Sequence, residues 1–190
     1  MTDDPTAGQD PRTVRTRGRL RDALLAECAS QPLEKVSVSS VVRRAQVGRA
    51  TFYLHYDDLQ ALAVDACAEV VRDAVEAVHS FDGIPDPAQP PAALADFFTS
   101  VTDHADLYRG LLHAGGSGPL GELLHGELRA RSRLERERAG LRHSEAADSA
   151  VAATFTGLFA DWLHGLIDAA PDALSRQVWR LLISIHGTFP

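Results

Sequence analysis

The stretch VSVSSVVRRAQVGRATFYLHY, residues 36–56, decides how this chain is read. Ser37 stands where a helix N-cap belongs, and Val38, Val41, Val42 and Ala45 follow at three- and four-residue steps. That spacing is the apolar stripe of a short helix. Gln46-Val47-Gly48 interrupts it as a turn, and Arg49 to about His55 resumes helical spacing, with Phe52 directed back as core. Upstream, Leu20, Ala23, Leu24 and Cys28 mark one face of a longer helix from Val14 to about Ser30, stopped at Gln31-Pro32. Two short helices joined by a tight turn, behind a longer one, follow the plan of a helix-turn-helix DNA reader.

The charge pattern agrees. The chain carries a formal charge of -7, yet residues 12–49 hold nine basic side chains against three acidic ones, a local +6. A cationic end on an anionic body suits a polyanion partner at that end alone. In such a unit the start of the second short helix faces base edges. Arg49 can present a bidentate fork to guanine, and Thr51 offers a methyl for thymine or a hydroxyl for phosphate. Gly48 lets backbone approach phosphate, while Tyr53, His55 and Tyr56 can reach sugar-phosphate oxygens.

These residues also resemble the signature of the TetR family of transcriptional regulators. The family pattern has a hydroxyl residue opening the first short helix, an Ile-Ala pair, an Ala-Gly-Val turn, Thr-Phe-Tyr, a spacer and His-Phe. This chain has Val38-Ser39, Val41-Val42, Ala45-Gln46-Val47, Thr51-Phe52-Tyr53 and His55-Tyr56 in those places. The resemblance covers residues 14–62 and implies a DNA-contact set of Arg15, Arg17, Ser37, Ser39, Gly48, Arg49, Ala50, Thr51, Tyr53, His55 and Tyr56. There are departures. Gln46 replaces the turn glycine, at a cost of roughly 1–2 kcal/mol if the backbone is left-handed. Gly48 replaces a capping serine, and Leu59 a phosphate-gripping lysine, for which Arg15, Arg17 and Arg19 are expected to compensate.

Beyond residue 57 the chain reads as helices. A long one runs from Asp58 to His79, capped by Asp57 or Asp58, with Leu62, Ala66, Val70 and Val78 inward. A proline-rich loop over 81–91 follows, then helices near 92–104, 106–113 and 120–137, with a break at Gly115–Pro119. The alternating charges of 129–138 read as a solvated face. In the last two helices Val151, Phe155, Leu158, Phe159, Trp162 and Leu166, then Leu174, Val178, Leu181, Leu182 and Ile185, keep helical steps. Apolar surface this wide suggests a second copy of the chain as partner, through Val151, Leu158, Leu163, Ile167, Val178, Leu182 and Ile185.

The resemblance implies an effector cavity in this half. Its expected lining is Phe97, Phe98, Val101, His104, Tyr108, Leu112, His125, Phe155, Phe159 and Trp162, which points to a largely apolar small molecule. The same side chains would equally serve as plain core.

Several function classes fall away. No pair of the eight histidines has zinc-ligand spacing, so neither metal nor cofactor is expected. No nucleophile, base and acid stand in catalytic arrangement, so the chain is not expected to be an enzyme. Cys28 and Cys67 read as buried thiols. No apolar run reaches membrane-spanning length and the start is acidic, so a cytoplasmic location is expected.

The expected architecture is all-α. Residues 1–13 form a flexible N-terminal arm, 14–56 a three-helix helix-turn-helix DNA-binding domain, and 57–190 a helical-bundle effector-binding and dimerisation domain. The expected function is that of a homodimeric repressor that binds a palindromic operator and is released by a small apolar effector. The rival is a helical dimer that senses a ligand or a protein partner but has lost DNA binding through Gln46 and Leu59.

Overall fold

The computed structural model describes residues 10–31, 33–80 and 85–188, with side chains through His186. Among the described residues every regular element is helical. The described residues form nine α-helices in chain order: α1 Pro11–Cys28, α2 Val38–Ala45, α3 Arg49–Tyr53, α4 Leu59–His79, α5 Ala92–Val101, α6 Ala105–Leu111, α7 Pro119–Arg138, α8 Glu145–Leu163 and α9 Pro171–Thr188. None of the described helices is long and apolar enough to cross a membrane. The chain divides into two compact units, one ending at Ala66 and the other starting at Cys67.

In the first unit, α1 opens three residues before the expected start. Pro11 occupies the first helical turn, where its missing N–H costs nothing, and the Asp10 carboxylate accepts from the Arg12 N–H at 2.9 Å. Residues 11–13 are therefore helix rather than arm, and Asp10 is their cap; residues 1–9 of the expected arm lie outside the described residues. Leu20, Leu24, Val41, Phe52 and Leu62 are fully buried and form this unit's core. Asp58 caps α4 through the Ala61 N–H at 2.7 Å.

In the second unit α8 lies against α6, α7 and α9, and α9 also meets α5. Phe97, Phe98, Phe155 and Phe159 make the centre, with centroid separations from 5.2 to 6.2 Å. Trp162 meets Phe98 edge-on at 5.5 Å. The turn before α7 crosses it backbone to backbone: a Cβ on Gly121 would stand 2.1 Å from the Gly116 carbonyl oxygen. Only glycine fits there. The Gly115 N–H donates to Asp161 at 3.1 Å and a His164 ring nitrogen lies 2.7 Å from the Leu112 carbonyl, which pins this turn to the end of α8.

Three expectations need correction here. The helices near 92–104 and 106–113 are shorter, with a 3-10 turn at Thr102–His104 between α5 and α6. The charged stretch 129–138 is not wholly solvated. Ser132 and Arg136 turn inward, Ser132 donating to the buried Asp148 at 2.9 Å and Arg136 to the Arg142 carbonyl at 2.9 Å. On α4, Leu62 and Val78 are buried, whereas Ala66 and Val70 are only half-buried; Ala63, Cys67, Val71 and Ala74 take the inward places.

Candidate nucleic-acid interface

The two short helices owe their placement to caps and to one aromatic anchor. Ser37 and Ser40 form a reciprocal capping box at the start of α2, each side chain accepting from the other's backbone N–H at 3.1 and 3.3 Å. α2 ends at Gln46, whose φ of 55° and ψ of 45° lie in the left-handed region. It is the sole non-glycine residue with positive φ among the described residues. Arg19 of α1 reaches it, donating to the Gln46 backbone carbonyl at 3.3 Å and to its side-chain oxygen at 3.4 Å. Arg44 pairs with Glu27 of α1 at 2.5 Å, and that hydrogen bond holds the Glu27 carboxyl below the usual carboxylate range.

α3 has two sides. Phe52 is fully buried, while Arg49, Ala50, Tyr53 and the capping residue Leu54 are exposed together. Arg49 donates to the Tyr53 hydroxyl at 3.4 Å and its guanidinium lies 5.8 Å from the Tyr53 ring centre. The pair thus holds an arginine fork beside an aromatic face. Thr51 and His55 flank this face half-buried, and Gly48 is exposed ahead of it. Ser37 and Ser39 of α2 and Arg15 of α1 are exposed as well.

Tyr56 and Arg17 depart from the expected contact set. Tyr56 is only 5% exposed, and its hydroxyl donates to Asp65 of α4 at 2.5 Å. Arg17 gives its charge to the same carboxylate at 2.8 Å. The Tyr56 hydroxyl and the Arg17 Nε and Nη2 groups are thus engaged within the chain. Leu54, at 81% exposure, lies outside the expected set although it stands beside Tyr53 at the C-terminal end of α3. Its signal in the sequence was faint: an apolar residue in the spacer of the motif, out of phase with Phe52.

The expected effector-lining residues are brought together, but as packing. Phe97, Phe98, Val101, Tyr108, Leu112, Phe155 and Phe159 are buried, and the rings fill the space between them. Burial also raises the Tyr108 hydroxyl well above its ordinary pKa. His104 and Trp162 are half-buried. His125 faces a different place, a shallow groove of about 340 Å³ with Gly116, Gly121, Glu122, Gly126 and Arg129.

Of the expected dimer residues, Val151, Leu163, Val178 and Leu182 are buried within their own chain. Leu158, Ile167 and Ile185 are half-buried, and Leu166 and Leu181 are the exposed leucines of this region. Among the described residues no group of acidic, histidine and cysteine side chains could hold a metal ion.

No protein-family model matches the chain. The uncharacterized HTH-type transcriptional regulator YxbF of Bacillus subtilis is 37% identical to it over 67 residues, a match spanning 33% of this chain and 18% of YxbF. Solved structures match over nearly the full length. A TetR transcriptional regulator from Rhodococcus sp. RHA1 superposes with a TM-score of 0.62 at 18% identity, covering 90% of this chain and 97% of its own. A second, from Streptococcus agalactiae 2603V, has a TM-score of 0.53 at 18% identity, covering 90% and 95%. The fatty acid degradation regulator FadR from Bacillus halodurans has a TM-score of 0.56 at 17% identity, covering 93% and 96%. With two short helices joined by a tight turn in its first unit and a helical bundle in its second, this chain has the fold of the TetR transcriptional regulators.

Proposed function

We propose that the protein is a DNA-binding transcriptional regulator whose α3 reads the major groove. The observation that carries this reading is the exposed face of Arg49, Ala50, Tyr53 and Leu54, anchored from behind by Phe52 at the end of the cationic segment 12–49. The face offers a fork for guanine, an apolar side chain and small Ala50 for thymine methyls, and a phenol for phosphate. Arg12, Arg15 and Arg19 of α1 are exposed to meet flanking phosphates. In the proposed assembly two copies present their α3 helices to successive major grooves, roughly 34–36 Å apart, on a palindromic operator.

The regulator is proposed to act as a repressor released by a small apolar ligand. The ligand would be favoured by a state in which the rings around Phe98 part, and it would lower operator affinity by its preference for that state. A panel of apolar metabolites should then contain compounds that raise thermal stability and weaken DNA binding together.

Selection from a random-sequence duplex pool, followed by titration over a range of salt, tests the DNA reading. A DNA reader enriches a palindrome, with affinity that falls steeply with salt because phosphate contacts release counterions. No enrichment, with absent or salt-independent binding, would favour the rival ligand-sensing dimer.

A further inference from the structure

α3 is too short to hold its own angle. It spans five residues, its N-cap Gly48 supplies no side-chain bond, and isolated helices of this length do not persist. Its far end is fixed by something other than apolar packing alone. The Tyr56 ring lies 5.9 Å from Phe52, and its hydroxyl donates to Asp65 Oδ2 at 2.5 Å while accepting from Arg17 Nε at 3.2 Å. Arg17 Nη2 donates to Asp65 Oδ1 at 2.8 Å, and the guanidinium lies 5.5 Å from the Tyr56 ring centre. Arg21 Nε stands 3.9 Å from Asp65 Oδ2. Both carboxylate oxygens are thus engaged, and α1, the segment after α3 and the first turns of α4 meet at one charge-assisted cluster.

We propose that Arg17, Tyr56 and Asp65 form a clamp that positions α3 for base reading, an assignment that rests on the DNA-binding function proposed above. These are positioning residues: they act on DNA through the placement of Arg49 and its neighbours. Charge-assisted bonds in a half-buried setting are stronger and more directional than apolar contact, so they can fix an angle that Phe52 alone leaves loose. The Tyr56 hydroxyl, pushed up to about 12 first by burial and then by Asp65, remains a donor across neutral pH.

The test compares the full-length wild type with Tyr56→Phe, Asp65→Asn and Arg17→Lys on two probes. One is the duplex that the wild type enriches from the random pool; the other is bulk unrelated duplex. Each variant should bind the enriched duplex roughly tenfold more weakly, with less than about twofold change on unrelated duplex. Arg17→Lys keeps the charge but cannot span both partners, so it should follow Tyr56→Phe rather than the wild type. Amide exchange should quicken over α3 in every variant while the core of α1 keeps its protection.

Affinity within about twofold of wild type in a folded variant, or equal loss on both probes, would overturn the clamp. If one variant fails to fold, the other two and their exchange profiles decide. Should the wild type enrich no duplex, the DNA reading fails, and the exchange profile alone judges whether the cluster positions α3.

Discussion

Gln46 shows how a single backbone conformation can outlast the residue that suits it best. A glycine would enter the left-handed region freely, whereas Gln46 is held there with its carbonyls drawn toward Arg19. Both contacts are long and exposed, so the strain outweighs them. Gln46→Gly should raise unfolding stability by about 1 kcal/mol in urea titrations. A loss instead would mean that Arg19 holds the turn more strongly than its distances imply. Arg49 is the complementary case, exposed and steadied by Tyr53. Arg49→Ala should relax preference at one operator position at a cost of about 1–3 kcal/mol in competitive binding. Equal loss on all sequences would make Arg49 a phosphate contact.

At the scale of helices, spacing located the elements but misassigned some faces. In α9, Leu174, Ser175, Val178, Trp179 and Leu182 are buried, and the Trp179 indole donates to the Asp86 carbonyl at 2.7 Å. Leu181 lies outside that arc and is 46% exposed. The sequence stripe mixed the two because an apolar residue reads alike whether it meets its own core or a partner. The proposed dimer is therefore tested at Leu158 and Leu181 rather than at the buried positions. Leu158→Glu with Leu181→Glu should sediment as a folded monomer, whereas Leu163→Asp should unfold the chain by burying an unpaired charge. A folded double variant that stays dimeric would move the interface off this surface.

Over the molecule as a whole, two histidines of the second unit are expected to contribute to the acid response. His79 and His186 are both held below the ordinary histidine range, chiefly by burial, with Arg131 acting further on His79 and Arg136 on His186. Both groups take up protons more readily in the unfolded chain than in the folded one. Stability should therefore be complete above about pH 6.5 and decline as pH falls below it toward the native values. Thermal melts from pH 7.5 down to about 5 should show that decline, and His79→Gln with His186→Gln should flatten it. An unchanged slope in the double variant would assign the acid response to other groups.

Local order determined much of this protein before any tertiary contact was known. The cap at Ser37, the turn at Gln46–Gly48, the inward Phe52 and the cationic N-terminal segment follow from neighbours a few residues apart, where spacing and residue chemistry suffice. Tertiary structure alone decided what long-range partners control. Tyr56 became a strut because Arg17 and Asp65, on two other helices, converge on its hydroxyl. The residues that resemble a pocket lining became a filled aromatic core because α5 and α8 place their rings in mutual contact. Whether a side chain faces core, ion pair or solvent depends on which distant segment stands opposite it, and helical periodicity carries no record of that.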